Sequence, residues 1–483
     1  MPKSKSKPEL EQEKSAKAKV RARSEPGPRN LLVPYKKPSK AVGYYWMPAA
    51  TDEVSCFRNI AVLETKNTQF GSRRIKVQNG EKAPMVFVMK NPTQTVWASA
   101  KPLPESVINK PGVKLYDFGF NDGRPYLAQN VKFAMYNAST AASKHMDVRD
   151  RIRKSTYVVQ DSGGFQLFVG KLDFLSPTEV VKRHNQYADV GVGLDIPGYG
   201  ITDSKIVDAT ARVLAANNLE MLKHRDPKVQ LMNVSHGMNI EQRIRYLEIV
   251  MAEAPLDSLC LGSVKTNIGE RFMNPERFVG HVLAAILVSQ KVYHHYHILG
   301  IGTRWQIALL ALLAVKFKKL ITSDSANYAK TAFNGQYLSY GYSNFPLGKP
   351  RGDLVSYQPL RCGCPACSVF KYVETYRNAA ELTIAHNFWS ASQSAKDYNE
   401  MAHIDPEGRW LLTEVPWFDV LKVRMRRALT ILNETNSIED LHRIHKSKAE
   451  NNAGGLFAVS EEDRRIQIIR NYERHHGRTF YKK

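Results

Sequence analysis

Three cysteines and one histidine stand close together in the second half of the chain. Cys362, Cys364 and Cys367 form a Cys-x-Cys-x-x-Cys motif, and His386 follows after eighteen further residues. Three thiolates and one imidazole make a closed tetrahedral ligand set for Zn²⁺, and a closed set leaves no position for a reactive water. The spacing therefore predicts a structural zinc ion that fastens residues 360–390 to the rest of the chain.

Three aspartates and a histidine stand where short apolar runs end. Asp161, Asp195 and Asp324 each close such a run, and His236 closes another. A strand-end aspartate is often only the N-cap of the next helix. However, the carboxyl ends of parallel strands meet on one face of a barrel, where barrel enzymes place their catalytic groups. Three carboxylates and an imidazole on one such face favour a catalytic site.

Eight short apolar runs predict the strands that would position these groups. Their near-continuous hydrophobicity is typical of parallel strands that are buried on both faces. The runs cover residues 85–89, 131–137, 156–161, 190–195, 229–236, 258–262, 294–301 and 320–324. Helices are predicted at 176–188, 274–290 and 303–317 and along apolar stripes within 206–221 and 240–251. This alternation predicts the α/β class and a (β/α)8 TIM-type barrel, with a six-stranded doubly wound sheet as the alternative.

The chain carries a strong positive charge. Its formal net charge is +23 over 483 residues, and residues 1–40 alone hold twelve Lys or Arg against four Glu. A basic excess of this size attracts phosphates, so nucleic acid is the expected partner, with basic tails on an ordinary protein as the alternative.

Composition and patterning divide the chain into four regions. We expect a disordered basic arm at 1–40, the barrel at 41–359, the zinc-binding segment at 360–390 and a helical basic extension at 391–483. The longest apolar run, 307–315, is too short to cross a bilayer core of ~30 Å, and the N-terminus lacks the apolar segment of a signal peptide. The protein is therefore expected to be soluble and cytoplasmic, without a membrane partner.

A glycine-rich hexapeptide follows the third predicted strand. Residues 161–166 read Asp-Ser-Gly-Gly-Phe-Gln. Two adjacent glycines let the backbone pass close to a planar ligand, and the preceding aspartate can exchange protons with that ligand or accept its hydrogen bonds. The hexapeptide and the strand-end aspartates occur in the order of the motifs of the tRNA-guanine transglycosylase family, which the chain resembles over residues 84–386.

The resemblance implies a role for each of these residues. Asp324 corresponds to the nucleophile, Asp161 to the acid/base aspartate and Asp195 to the aspartate that reads the guanine edge. The strand that ends at Asn137 corresponds to one whose end approaches the base. The other substrate-binding residues that it implies are His236, Gly262, Ser263, Ser162, Gly163 and Phe165.

The segment after Asp324 departs from the tRNA enzymes. Residues 327–333 read Asn-Tyr-Ala-Lys-Thr-Ala-Phe, where those enzymes have an Arg-bearing segment associated with the anticodon loop. In this respect the chain resembles the DNA 7-deazaguanine transglycosylases of phages and bacterial modification islands. The resemblance implies exchange of guanine in DNA for a free 7-deazaguanine base such as preQ0, through a covalent Asp–deoxyribose intermediate.

Several alternatives stay open. A tRNA-guanine transglycosylase of the queuosine or archaeosine type would share every catalytic residue and differ in its nucleic acid. A hydrolytic base-excision glycosylase would admit water in place of the second base, and a non-catalytic partner subunit need not keep Asp161 and Asp324. In duplex DNA the guanine must leave the stack, and a helper protein could open the duplex.

A histidine-rich run lies within one predicted strand. Residues 293–297 read Tyr-His-His-Tyr-His. Because neighbouring side chains of a strand point to opposite faces, packed or solvated histidines are favoured over a second metal site.

Overall fold

The computed structural model describes the chain in separate stretches. They are residues 42–48, 59–63, 86–88, 95–98, 113–117, 133–138, 157–198, 203–264, 274–333, 336–338, 344–346, 364, 367, 380–413, 419–445 and 458–482. The predicted basic arm at 1–40 and Cys362 lie outside the described residues.

Within these stretches the strands form one large and two small sheets. In chain order the strands are β1 (Gly43–Pro48), β2 (Asn59–Leu63), β3 (Val86–Val88), β4 (Thr95–Ala98), β5 (Val113–Asp117), β6 (Phe133–Asn137), β7 (Tyr157–Asp161), β8 (Val190–Val192), β9 (Gln230–Ser235), β10 (Ser258–Leu261), β11 (His295–Ile298), β12 (Leu320–Ser325), β13 (Gln336–Leu338) and β14 (Asn344–Pro346). The large sheet has the order β1-β12-β11-β10-β9-β8-β7-β6, and each neighbouring pair is parallel. The small sheets, β3-β4-β2-β5 and β13-β14, are antiparallel.

Helices alternate with the later strands. In chain order the described helices are α1 (Gly164–Phe168), α2 (Pro177–Tyr187), α3 (Ser204–His224), α4 (Ile240–Glu253), α5 (Pro275–Ser289), α6 (Arg304–Phe317), α7 (Asn327–Phe333), α8 (Ala380–Ile404), α9 (Trp410–Thr413), α10 (Asp419–Glu434), α11 (Ile438–His445) and α12 (Ala458–His476). The five helices that the sequence predicted correspond to α2 to α6. Side chains of Asp203, Asn239 and Asn274 cap α3, α4 and α5 by accepting hydrogen bonds from their first-turn amides.

The large sheet is curled. Its end strands, β1 and β6, approach each other to within 8 Å between Cα atoms. Strands β8 to β12 are buried along their whole length, as parallel strands between helices and a filled interior must be. The fold is therefore of the α/β class, with a curled, barrel-like parallel sheet that is compatible with a TIM-type architecture.

The first strand of this sheet is not the one that the sequence predicted. The run at 85–89 was expected to open the barrel, but its core, Val86–Val88, pairs with β4 in the antiparallel sheet. The position next to β12 belongs to Gly43–Pro48, whose Tyr44, Trp46 and Met47 are buried. A short apolar run can suit either kind of sheet, and pairing with a strand far along the chain leaves no local signal.

Helix α8 completes the packing around β1. It contacts β1, α6 and α7, and its Asn399 Oδ1 accepts a 2.8 Å hydrogen bond from the amide of Tyr44 at the start of the strand. The helix continues through residue 390, which is the predicted end of the zinc-binding segment. That domain boundary stays a prediction. No helix among the described residues combines the length and the apolar character that a membrane crossing needs.

Candidate active site and metal centre

The carboxyl edge of the parallel sheet gathers the polar residues that the sequence singled out. Asp161 ends β7, and Asp324 lies near the end of β12. Asp195, His236 and Ser263 follow β8, β9 and β10 directly or after a few residues. Since parallel strands end on the same side of a sheet, these five side chains lie on one edge, as predicted.

A buried hydrogen-bonded chain links four of the predicted residues. Asp195 Oδ1 accepts from Ser162 Oγ at 3.1 Å, and Asp195 Oδ2 lies 2.6 Å from His236 Nε2. His236 Nδ1 lies 2.9 Å from Ser263 Oγ. Because a carboxylate only accepts, His236 donates to Asp195 from Nε2, while Nδ1 faces the Ser263 hydroxyl. The chain therefore fixes the orientations of the His236 ring and the Asp195 carboxylate.

Two glycines allow the backbone to approach this chain. A Cβ on Gly164 would lie 2.5 Å from Asp195 Oδ1, and one on Gly262 would lie 2.3 Å from His236 Cε1. Both distances are far below a normal van der Waals contact. The sequence suggested that the Gly163–Gly164 pair makes room for a planar ligand. In the structure Gly164 makes room for Asp195, while Gly163 adopts a left-handed φ of 94° at the start of α1.

Asp161 lies among other negative charges. Its Oδ2 accepts a 2.8 Å hydrogen bond from Asn137 Nδ2, which also donates to Gln166 Oε1 at 2.8 Å. Burial raises the pKa of Asp161 to about 7, and the charges of Asp195 and Asp324 act in the same direction. A carboxyl that titrates near neutrality can release and recover a proton during a reaction. This is the property expected of the acid/base residue.

The raised pKa of Asp161 predicts a pH-dependent stability. An aspartate whose pKa rises from 3.8 in the unfolded chain to about 7 stabilises the fold fully below pH 3.8 and loses that contribution as the pH rises through 7. Asp161→Asn removes the ionisation. As the pH rises from 4 to 7.5, we expect the unfolding free energy of the parent to fall more than that of the variant. The difference between the two falls should be on the order of 2 kcal/mol, which allows for solvent at the half-buried carboxyl.

Urea unfolding at several pH values measures this difference. Glu434→Gln, which neutralises an exposed carboxylate at the end of α10, serves as the control and should follow the parent curve. Parallel pH profiles for the parent and Asp161→Asn would contradict the raised pKa.

Asp324 is held through one of its two carboxylate oxygens. Oδ1 accepts a 2.7 Å hydrogen bond from the Gly300 amide and lies 3.2 Å from His297 Nε2. Among the described residues Oδ2 makes no such bond, and the side chain keeps 11% of its surface exposed. One oxygen is thus anchored while the other faces the open edge of the sheet.

A buried chain of polar groups continues beneath Asp324. His297 Nδ1 lies 2.9 Å from Thr322 Oγ1, which lies 2.8 Å from His295 Nε2. If Asp324 is ionised, His297 donates to it from Nε2 and accepts from Thr322, and Thr322 accepts from His295. Burial lowers the pKa of His295 well below its usual value, so that ring is neutral, and its single proton is on Nε2 when Thr322 accepts from it. The chain therefore directs hydrogen-bond donors toward the Asp324 carboxylate.

The histidines of the run at 293–297 were predicted to be packed or solvated, and in the structure His295 and His297 are packed in the interior. The contact of His297 with Asp324 was not predicted. Strand alternation places residues 295 and 297 on one face, and the register pairs His297 with Thr322. The contact between His297 and Asp324 could not be predicted from the local pattern, because it depends on the register in which β11 pairs with β12.

A buried guanidinium supports the loops of the Asp195–His236 chain. Arg243 donates to the carbonyl of Ser235 at 2.9 Å, to that of Gly262 at 2.8 Å and to His281 Nδ1 at 3.1 Å. Burial lowers its pKa to about 9, with the charge of Arg277 acting in the same direction. Arg243 therefore ties the ends of β9 and β10 together and fixes the positions of the residues that follow them. Arg243 was not among the site residues predicted from the sequence.

Phe165 stands apart from the buried residues of the edge. Its side chain on α1 is 48% exposed, while the adjacent Ser162 is fully buried. An exposed aromatic ring beside a polar site offers a surface on which a planar base can stack.

Three of the four predicted metal ligands lie together. His386 Nδ1 is 3.3 Å from Cys364 Sγ and 3.4 Å from Cys367 Sγ, and all three residues are buried. His386 Nε2 lies 2.8 Å from the carbonyl of Leu338, which fixes Nε2 as the donor and turns Nδ1 toward the sulfur atoms. The cluster could hold a metal ion. Cys362, the fourth predicted ligand, is outside the described residues.

No protein-family model and no curated protein matches the chain.

Proposed function

We propose that the chain is a guanine transglycosylase that replaces guanine in DNA with a free 7-deazaguanine base such as preQ0. The main support is that three carboxylates lie at one sheet edge and that each has a different environment. Asp324 has an anchored and a free oxygen, Asp161 titrates near neutrality, and Asp195 is held in a hydrogen-bonded chain. Base exchange at a glycosidic carbon needs a nucleophile, an acid/base group and a group that reads the base.

Asp324 acts as the nucleophile in this proposal. As the bond between C1′ and N9 of guanine breaks, positive charge develops on the sugar, as in glycoside hydrolysis. The free Oδ2 of Asp324 attacks C1′ and forms a covalent Asp–deoxyribose ester, and the guanine leaves with the bonding electrons. His297 and the Gly300 amide hold the other oxygen, so that the attacking oxygen is presented in one direction.

Asp161 manages the protons of the two bases. With a pKa of about 7 it can give a proton to the departing guanine and later take one from the incoming 7-deazaguanine. The incoming base then attacks C1′ and displaces Asp324. Two successive inversions at C1′ retain the original configuration.

Asp195 and His236 read the base. The Asp195 carboxylate accepts hydrogen bonds from the N1–H and the amino group of guanine, and adenine is rejected because it lacks these two donors and could not replace the internal hydrogen bonds that Asp195 gives up. Ser162 and His236 occupy these oxygens at 3.1 and 2.6 Å in the free protein, so binding exchanges internal hydrogen bonds for those of the base. His236, Gly262 and Ser263 address O6, and Phe165 stacks on the ring.

The proposal includes a closed (β/α)8 barrel and a structural zinc ion. The approach of β1 to β6 supports closure of the sheet. The buried Cys364, Cys367 and His386 supply three ligands, and Cys362 would complete a closed tetrahedral set. A closed set gives the ion a structural role outside the chemistry.

DNA is the proposed nucleic acid, with tRNA as the alternative. The formal charge of +23 favours a polyanion, and the Arg-bearing segment that the tRNA enzymes carry after the nucleophile is replaced by residues 327–333. That replacement, α7, begins directly after β12.

Radiolabelled preQ0 offered in parallel with duplex DNA, single-stranded DNA and tRNA tests the substrate. We expect label to enter DNA, with single-stranded DNA favoured because its guanines are already unstacked. DNA binding should weaken steeply with salt. In a plot of the logarithm of the binding constant against the logarithm of the salt concentration, each phosphate contact should contribute about one unit of slope. Labelling of tRNA with none of DNA at low salt would establish the tRNA alternative. Release of free guanine without incorporation of label would indicate a hydrolytic glycosylase.

His297→Leu tests the anchoring of Asp324. A hydrogen bond to a charged group contributes about 1.5–3 kcal/mol, so its loss should slow covalent-adduct formation by about 10- to 100-fold. His297→Gln can still donate from its side-chain amide and should recover part of the rate. Single-turnover kinetics measure both variants, and equal rates for Leu and Gln would contradict the anchoring role.

A further inference from the structure

A second group of metal-binding side chains lies away from the candidate active site, where α12 packs on α3. Glu220 comes from α3, and His475 and His476 end α12. One oxygen and two ring nitrogens of these residues lie within 4.8 Å of one another. They share no residue with the cysteine cluster.

The partners of Glu220 and His476 point one ligand atom of each into the group. Thr178 Oγ1 donates to Glu220 Oε1 at 2.7 Å, which leaves Oε2 facing the two histidines. His476 Nε2 lies 2.8 Å from Asn217 Oδ1. Asn217 Nδ2 donates to the Leu194 carbonyl at 2.8 Å, so its orientation is fixed with Oδ1 toward the ring. Metal-binding sites commonly hold their ligands through such outer partners.

This arrangement leaves a contact that hydrogen bonding does not explain. Because Asn217 Oδ1 only accepts, His476 donates to it from Nε2, and Nδ1 is the ring atom that faces Glu220. Nδ1 lies 3.7 Å from Glu220 Oε2, which is too long for a hydrogen bond. His475 Nε2 lies 2.8 Å from the same oxygen. A cation bound by these three atoms would account for their convergence.

We propose that Glu220, His475 and His476 bind a divalent ion of the zinc class. Two imidazoles and one carboxylate suit Zn²⁺ or Co²⁺ at about 2.0–2.2 Å, and such ligand atoms lie about 3.3 Å apart around a tetrahedral ion. To reach this spacing, the 3.7 Å separation between His476 Nδ1 and Glu220 Oε2 must shorten by a few tenths of an ångström, and the 2.8 Å separation between His475 Nε2 and Glu220 Oε2 must lengthen by about half an ångström. His475 is exposed, so water completes the coordination. The ion fastens α12 to α3, and α12 in turn supports the loop after Asp195, since the buried Arg465 donates to the Pro197 carbonyl at 2.9 Å.

Zinc titration of the full chain against a colorimetric indicator tests the proposal. We expect Glu220→Gln to bind one equivalent of Zn²⁺ fewer than the parent, and His403→Ala, which removes an exposed histidine of α8, to match the parent. Thr178→Val keeps all three ligands and should lower the affinity for this zinc ion by about 10- to 100-fold. Because no readout involves base exchange, the outcome is independent of the proposed function.

Cobalt distinguishes the two clusters. Co²⁺ bound by thiolates absorbs strongly in the near ultraviolet, whereas Co²⁺ on two histidines and a carboxylate gives only weak visible bands. His476→Ala should remove the weak bands and leave the strong ones. Zinc stoichiometry and affinity equal to the parent in Glu220→Gln would overturn the proposal and leave a histidine–carboxylate ion pair. If that variant does not fold, an unchanged affinity in Thr178→Val decides against the site in the same way.

Discussion

Asp324→Asn is expected to abolish base exchange and the covalent DNA adduct while the fold is kept. The Gly300 amide and His297 both approach Oδ1, and the carbonyl oxygen of asparagine can accept from the same donors. The amide nitrogen then takes the place of Oδ2, where it cannot attack C1′. We expect a rate loss of at least about 10⁴-fold, or roughly 5 kcal/mol of barrier. The unfolding free energy should change by less than about 1 kcal/mol, because the anchoring bonds survive.

The adduct is measured as protein-linked DNA that resists denaturation, and exchange as incorporation of labelled base. Glu400→Gln, which neutralises an exposed carboxylate, should retain parent activity. Asp161→Asn should slow exchange through the proton transfers while the Asp324 nucleophile remains. An Asp324→Asn protein that still forms the adduct would falsify the assignment of the nucleophile.

Cys364→Ser is expected to remove one equivalent of zinc and to destabilise the second half of the chain. Structural zinc sites contribute folding free energy directly, up to about 10 kcal/mol or more in small domains. Here His386 of the cysteine–histidine cluster lies on α8, and its neighbour Asn387 accepts from the Leu338 amide and donates to the Tyr328 carbonyl. Loss of the ion should therefore loosen β13 and the first turns of α8 together.

Metal analysis and hydrogen exchange measure the two parts of this result. Cys260→Ala removes a buried thiol that lies outside the cluster, and it should keep the zinc content even if it lowers stability. Faster exchange in α8 together with one lost equivalent of zinc is the expected signature. Full zinc content in well-folded Cys364→Ser would show that the cluster is not the zinc site.

Local patterns were sufficient to predict seven of the eight strands of the large sheet and the sheet edge that carries the candidate site. The strand-end positions of Asp161 and Asp324 and the helices α2 to α6 follow from hydrophobic periodicity. Strand β1 could not be predicted in this way, because its partner β12 lies far along the chain and the run at 85–89 has an equally suitable pattern.

The contacts within the site depended on register and packing. To predict that His297 contacts Asp324, one would need to know how β11 pairs with β12. To predict that Gly164 packs on Asp195, one would need to know the paths of two loops. Arg243 belongs to a helix whose sequence pattern gives no sign of the hydrogen-bond acceptors that Arg243 finds around the sheet edge. Such tertiary contacts have no periodic signature in the sequence.

The pairing of β1 with β12 also bears on how the protein is made. Tyr44 of the first strand and Ser323, beside Asp324, share a 2.7 Å hydrogen bond although they are 279 residues apart in the chain. On the ribosome β1 is synthesised early, but its partner emerges only after most of the sheet. Contacts of such long sequence separation form slowly, and an unpaired aromatic strand invites association with other chains. Asp324 is thus brought into its place in one of the last steps of folding, and a nascent chain that is released before β12 has emerged lacks the finished sheet.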